Sequence, residues 1–104
     1  MPRDPSNGVP GPRSTELLKR REQAVPRAVF NTVEVFAGGG EGATLTDVDG
    51  NTFIDLAGGL GVLNVGRNNP RVVAAVREQL EKTLHECFHV TMYEGYLELA
   101  EALN

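Results

Sequence analysis

The chain has 104 residues and a mass of 11.2 kDa, enough for one small domain at most. Hydrophobic residues make up 40% and charged residues 23%, which is a globular composition and not a disordered or fibrous one. The net charge of −4 argues against nucleic-acid binding, since phosphates require a basic surface. No apolar run spans a membrane, the start is no signal peptide, and a single cysteine excludes an intrachain disulfide. We therefore expect a cytoplasmic protein without a membrane partner.

Charge and proline are concentrated at the start of the chain. Residues 1–27 carry a net charge of +3, and residues 28–104 carry −7. Residues 1–13 hold four of the six prolines and few apolar side chains, which predicts a flexible tail ahead of an ordered segment over residues 14–104. The basic arm is either simply solvated or reaches an acidic partner, such as a second copy of the chain.

The first predicted elements are a helix and a short strand. Ser14 is the predicted N-cap of the helix, and Pro26 must end it because proline cannot continue a helix. Residues 33–36 predict the strand, and the three glycines at 38–40 predict a break after it.

A β-hairpin is the clearest local signal. Two stretches of alternating apolar residues, 43–48 and 51–56, flank Asp49-Gly50. Asp-Gly is a typical hairpin turn, because glycine adopts positive φ without steric cost.

Two further helices follow a glycine-rich stretch at 58–66. Asn69-Pro70 predicts the start of the first, and Glu78 and Lys82 form a favourable i,i+4 pair on it. The apolar spacing predicts one buried stripe on each helix, formed by Val72, Val73, Val76, Leu80 and Leu84 on the first and by Tyr96, Leu99, Ala100 and Leu103 on the second. Residues 85–90 between them read as extended. The apolar spacing of the second helix continues up to Asn104. We therefore interpret the chain as a segment of a longer protein.

Three motifs have competing interpretations. Gly59-x-Gly61 does not complete a dinucleotide fingerprint, so close approach of a ligand or a neighbouring chain explains the glycines better. Residues 47–51 resemble a calcium loop but lack its bidentate glutamate, which favours a plain turn. On an extended strand, His85-x-Cys87-x-His89 would present three zinc-ligand types on one face, but a fourth ligand is missing. A buried cysteine between hydrogen-bonded histidines is the preferred reading.

The run from Leu45 to Gly66 (LTDVDGNTFIDLAGGLGVLNVG) resembles the N-terminal signature of the class III pyridoxal-phosphate-dependent aminotransferases. Within that family it is most similar to the members that act on 4-aminobutyrate. Stretches at 22–27, 69–76, 85–88 and 93–100 support the resemblance, which covers residues 14–104. The chain departs from the family pattern at residues 67–69, usually rich in histidine, near Met92 and Gly95, where prolines are usual, and at His89, where glutamine is usual.

The resemblance implies an α/β fold of the fold-type I pyridoxal-phosphate-dependent transferases. This chain would supply the N-terminal segment, as part of the small domain and the start of the large one. It also implies pyridoxal 5'-phosphate as cofactor, amino acids and 2-oxo acids as substrates, and a homodimer with active sites at its interface. The family's substrate-pocket positions fall on Leu60 and His89. An apolar Leu60 would suit an aliphatic ω-amino acid, such as 4-aminobutyrate reacting with 2-oxoglutarate to give succinate semialdehyde and glutamate.

The family's catalytic residues have no counterpart here. The sequence has two lysines, Lys19 and Lys82, and neither matches the family's Schiff-base position, so we expect the chain alone to be inactive. The alternative function is a non-catalytic module that self-associates or docks on a full-length homologue.

Overall fold

The computed structural model describes residues 8–104, which fall into two compact units divided between Asn69 and Pro70. None of the helices within residues 8–104 is both long and apolar enough to cross a membrane. The first unit contains α1 (Pro12–Ala24), β1 (Ala37–Gly39), β2 (Thr44–Asp47), β3 (Thr52–Ile54) and α2 (Gly58–Gly61), and the second contains α3 (Pro70–Lys82) and α4 (Glu94–Leu103). The strands form an antiparallel sheet in the order β1-β2-β3, so the chain has the α/β composition that the sequence predicts.

The first helix begins earlier than the sequence predicts. Its N-cap is Gly11 and Pro12 is its first residue, so Ser14 lies inside the first turn and its predicted role as N-cap is wrong. Residues 12 and 13 of the predicted tail are thus helical, and residues 1–7 lie outside the described part of the chain. At its other end α1 stops at Ala24, two residues before Pro26, which confirms the predicted end.

An aspartate from the hairpin takes over the capping of α1. The carboxylate of Asp49 accepts hydrogen bonds from the backbone N–H of Arg13 (2.7 Å), from the backbone N–H of Ser14 (2.9 Å) and from the Ser14 hydroxyl (2.5 Å). The Ser14 side chain is fully buried by this contact. The free N–H groups of a helix start are thereby satisfied by a residue 35 positions away, which no local pattern predicts.

The first strand lies after its predicted position. Residues 33–36 are not a strand; β1 instead includes Gly38 and Gly39, which the sequence assigned to a break. Its residues Ala37 and Gly39 pair with β2. A Cβ atom at Gly38 would lie 3.0 Å from the backbone oxygen of Asp47, so the close approach of the two strands favours glycine there.

The hairpin is confirmed, with a turn one residue longer than the Asp-Gly pair. β2 and β3 pair in register from Thr44–Ile54 to Thr46–Thr52. The loop closes through the N–H of Gly50 donating to Asp47 O (3.1 Å), and Gly50 has a φ of +84°. The buried carboxylate of Asp47 accepts hydrogen bonds from the N–H groups of Asp49 (3.0 Å) and Asn51 (2.7 Å). The Asp47 carboxylate thus stabilises the turn through hydrogen bonds to the backbone of the turn.

Both predicted helices of the second unit are present, and α3 begins at Pro70 as expected. The Glu78–Lys82 ion pair is confirmed at 2.8 Å, and both side chains are largely exposed. The predicted buried stripes are wrong, because among residues 8–104 no hydrophobic side chain is buried. The stripe residues exposed at about half or more of their surface are Val72, Val76, Leu80, Leu84, Tyr96, Leu99 and Leu103.

The Ser14–Asp49 contact gives a first prediction. Replacing Ser14 by alanine removes the buried hydroxyl, and we expect the free energy of unfolding to fall by about 1 kcal/mol. The hydrogen bonds, led by the one from the Ser14 hydroxyl, lower the pKa of Asp49. Their contribution is therefore complete above the unfolded-state pKa of about 3.9 and is lost as the pH falls through the lower folded-state pKa.

Urea unfolding of wild type and Ser14→Ala at pH 7 and well below pH 4 measures both effects, with the exposed Thr32→Ala as control. The difference between wild type and Ser14→Ala should shrink in acid. A difference that stays constant with pH would contradict the role of the Asp49 carboxylate.

The exposed apolar faces give a second prediction. Patches of this kind drive association, and without a buried hydrophobic side chain in residues 8–104 the described part of the chain has little to stabilise it as a monomer. We expect the isolated chain to self-associate or to be only marginally folded. Light scattering after size exclusion, combined with urea unfolding, tests this. A monodisperse 11.2 kDa species with a steep two-state transition would show the opposite.

Candidate functional site

Leu60 lies in a left-handed turn. All four residues of α2 have positive φ: Gly58 (53°), Gly59 (63°), Leu60 (64°) and Gly61 (81°). The turn closes through the N–H of Gly61 donating to Ala57 O, at 3.1 Å. Glycine adopts this conformation freely, whereas an L-residue such as leucine is disfavoured there by about 1–2 kcal/mol. The glycine-rich stretch is therefore a specific backbone structure built around one strained leucine.

Asp55 holds the start of this turn. Its Oδ1 accepts hydrogen bonds from the backbone N–H groups of Ala57 (3.1 Å) and Gly58 (2.9 Å), and its Oδ2 accepts one from Nη2 of Arg67 (2.7 Å). The hydrogen bond from Arg67, followed by that from Gly58, lowers the pKa of Asp55. The two charged side chains are 13% and 24% exposed, so this ion pair is better shielded from water than the one on α3.

The residues that follow the glycine-rich stretch are hydrogen-bonded to the residues that precede β2. Arg67 and Gly42 exchange two backbone hydrogen bonds of 2.9 and 2.8 Å. Next to it, the side-chain amide of Asn68 donates to Gly40 O at 2.8 Å. The loop between Asp55 and Arg67 is thus held at both ends, and we call these two residues the Asp55–Arg67 clamp.

The Leu60 side chain is 92% exposed and is purely apolar. It can offer van der Waals contact to a hydrocarbon chain and cannot transfer a proton. A groove of about 760 Å³ lies elsewhere in the same unit, and Leu60 does not line it. Apolar side chains of the hairpin form part of its wall, namely Leu45, Phe53, Ile54 and Leu56.

His89 lies in a turn, not in an extended segment. The N–H groups of Val90 and Thr91 both donate to Cys87 O, so the extended conformation predicted for residues 85–90 is wrong at residues 88–90. Cys87 is exposed, as are both histidines, so the preferred reading of a buried cysteine is wrong as well. The residue before His89 is held by aromatic contacts, since Phe88 stacks on Tyr96 (4.3 Å between ring centroids) and meets Tyr93 edge-on (5.5 Å).

The two predicted pocket residues belong to different units, Leu60 to the first and His89 to the second. Leu60 and His89 are therefore each described within their own unit. Within residues 8–104, no group of three or more histidine, cysteine, aspartate or glutamate side chains is arranged to hold a metal ion.

The lysines present do not fit an anchor for a carbonyl cofactor. Such a lysine must lose its proton to form an imine, which requires a desolvated site. Lys82 is instead exposed, and its hydrogen bond with Glu78 raises its pKa. Lys19 is exposed on α1. No step of cofactor chemistry can therefore be assigned to a lysine of this chain.

Comparison with known proteins identifies the family. The profile of the aminotransferase class-III family matches residues 24–104. The chain belongs to the class-III aminotransferases. It is 49% identical over 89 residues to the 4-aminobutyrate aminotransferase of Escherichia coli strain K12, a match that covers 86% of this chain and 21% of the relative. It is 53% identical over 87 residues to the 5-aminovalerate aminotransferase of Pseudomonas aeruginosa, covering 84% of this chain and 20% of the relative.

A solved structure supports the same fold. A Bacillus anthracis aminotransferase matches with a TM-score of 0.73 and 25% sequence identity, over 88% of this chain and 21% of that one. The class-III segment seen here thus has the backbone arrangement of an aminotransferase. The chain spans about a fifth of the length of the relatives it matches.

The pairing of Asp55 with Arg67 is not predicted from the sequence. Asp55 belongs to the run that resembles the family, and Arg67 is one of the positions that depart from the family pattern. One signal was available: an acid and a base flank a glycine-rich stretch 12 residues apart, and oppositely charged residues at the two ends of a loop are candidates for an ion pair.

The strained turn gives a third prediction. Leu60→Gly should be about 1 kcal/mol more stable than Leu60→Ala, because the alanine keeps a Cβ at φ 64° and this penalty exceeds the extra chain entropy that glycine loses. Leu56 provides the matched control, being 94% exposed but not at positive φ, so there the alanine variant should be the more stable. Urea unfolding of the four variants measures both differences. The same order at both positions would contradict the strain at Leu60.

Proposed function

We propose that this chain forms part of a pyridoxal-phosphate-dependent ω-aminotransferase that transfers the amino group of 4-aminobutyrate to 2-oxoglutarate. The observation that carries the proposal is the 49–53% identity to aminotransferases of 4-aminobutyrate and 5-aminovalerate over more than four fifths of the chain. Because the chain covers a fifth of those relatives, the activity belongs to the assembled enzyme, and we expect the chain alone to be inactive.

Within that enzyme, the cofactor would supply the amino-transfer chemistry, and this chain's residues would contact the substrate. Leu60, exposed on its turn, offers an apolar wall for the methylene groups of an ω-amino acid. His89, exposed on the turn after Phe88, offers a hydrogen-bonding imidazole. The exposed faces of α3 and α4 are suited to packing against a larger domain and a second subunit, and we propose a homodimer.

The same exposed faces favour a second candidate, a non-catalytic module that associates with itself or with a full-length homologue. The two functions differ in what Leu60 does. In the enzyme it contacts a reacting substrate, whereas in the module it has no effect on transamination.

A chimera tests the proposal and is our fourth prediction. The 89-residue matched segment of the Escherichia coli 4-aminobutyrate aminotransferase is replaced by the corresponding residues of this chain. We expect the purified chimera to keep kcat/KM for 4-aminobutyrate within about tenfold of the parent enzyme. Leu60→Asp in the chimera should lower it by at least about 100-fold, because a carboxylate is costly against an apolar substrate chain.

The matched control is Leu60→Met, which conserves volume and polarity and should leave kcat/KM nearly unchanged. Circular dichroism and gel filtration establish that each chimera is folded and assembled. A folded, assembled chimera without activity, or one in which Leu60→Asp is as active as Leu60→Met, would refute the proposed role and favour the interaction module.

A further inference from the structure

The Asp55–Arg67 clamp lies beside the turn that carries Leu60. We propose that Arg67 is a positioning residue: acting through Asp55, it fixes the left-handed turn and so determines where the Leu60 side chain meets the substrate. The consequence for the substrate rests on the proposed function, whereas the consequence for the turn stands on the geometry of the chain alone.

The first step is that the two carboxylate oxygens of Asp55 bind different partners. Oδ1 binds the N–H groups of Ala57 and Gly58, which begin the left-handed turn, while Oδ2 binds Arg67. A carboxylate is rigid and planar, so fixing Oδ2 also fixes the direction of Oδ1. The guanidinium therefore orients the acceptor on which the turn is built.

The second step is the anchoring of Arg67 itself. Its backbone exchanges two hydrogen bonds with Gly42, two residues before the start of β2. The Arg67 side chain also packs closely against the backbone at Gly40, because a Cβ atom at Gly40 would be only 2.7 Å from Arg67 Cδ. Arg67 is thus held by the sheet side of the unit and transmits that fixed position to Asp55.

The third step is that side-chain packing does not hold the turn. The side chain of Leu60 is 92% exposed, so packing does not keep it at a φ of 64°. An L-residue in this conformation relaxes to negative φ unless its surroundings prevent it. Backbone hydrogen bonds from Gly61 to Ala57 and from Val62 and Leu63 to Gly58 close the turn locally, and the clamp is the charged restraint that ties it to the rest of the unit.

One further detail predicts which substitution is tolerated. Arg67 Nε is buried and has no hydrogen-bond partner among residues 8–104, so only the terminal nitrogen Nη2 makes the contact with Asp55. Lysine carries its charge on one terminal nitrogen and has no donor at the Nε position. Arg67→Lys should therefore preserve the clamp, and Arg67→Ala should abolish it.

The experiment, our fifth prediction, is nuclear magnetic resonance of the folded, assembled chimera, isotopically labelled at leucine and phenylalanine, with the wild-type Arg67, Arg67→Ala or Arg67→Lys. The readout is the intraresidue NOE between the amide proton and Hα of Leu60, which is strong at positive φ because the two protons are then close. Cross-strand NOEs between Leu45 and Phe53 report whether the hairpin is intact. Arg77→Ala, on the exposed surface of α3, is the control for loss of one positive charge.

We expect a strong Leu60 NOE in wild type, Arg67→Lys and Arg77→Ala, and its loss in Arg67→Ala with the hairpin NOEs unchanged. A Leu60 NOE that survives in Arg67→Ala, or that is missing in wild type, would overturn the proposal. Simultaneous loss of the hairpin NOEs would overturn it too, because Arg67 would then support the whole unit and not the turn.

The active chimera separates this inference from the proposed function. Arg67→Ala introduced there should lower kcat/KM for 4-aminobutyrate about tenfold, and Arg67→Lys should restore it. A chimera inactive even with Arg67 present refutes the proposed function and leaves the NMR result valid. An active chimera that Arg67→Ala does not affect refutes the positioning of Leu60 toward substrate.

Discussion

Three aspartates of one hairpin organise the first unit. Asp47 binds the N–H groups of its own turn, Asp49 caps the start of α1, and Asp55 starts the left-handed turn while it pairs with Arg67. Each carboxylate satisfies backbone N–H groups that would otherwise lack a partner. Because no hydrophobic side chain in residues 8–104 is buried, these polar contacts, and not a core, fix how helix, sheet and turn meet.

Local sequence signals predicted the elements that depend on local physics. Asp49-Gly50 predicted the hairpin, Pro26 the end of α1, and Pro70 the start of α3, because each acts through its own backbone. The start of α1 was misplaced at Ser14 although Pro12, at the first helical position after Gly11, is a local signal. The contact of Ser14 with Asp49, 35 residues away, has no local signal. The turn of Leu60 was missed for the same reason, since an ion pair 12 residues apart helps to hold it and no periodicity encodes such a pair.

The exposed stripes show what hydrophobic periodicity does and does not predict. The spacing of apolar residues correctly predicts that α3 and α4 are helices, because it reports which side chains share a face. It carries no information about the surface that covers that face. The relatives are about four times as long as this chain, and we expect the covering surfaces to be supplied by the assembled enzyme. We expect Leu84, 83% exposed, and Leu103, 78% exposed, to be covered there.

Under the proposed function, a leucine on a fixed backbone would have a specific consequence for choosing between ω-amino acids. The two relatives act on 4-aminobutyrate and on 5-aminovalerate, which differ by one methylene group. One methylene against an apolar wall is worth about 1–3 kcal/mol of discrimination, but only if the wall cannot move to accommodate the longer chain. A leucine in an ordinary loop would move, because exposed loops rearrange easily. On a left-handed turn clamped by Asp55 and Arg67, the backbone of Leu60 cannot do so without breaking the hydrogen bonds that hold the turn. Under the proposed function, the strain at Leu60 and the choice between these two substrates would be linked through the same ion pair.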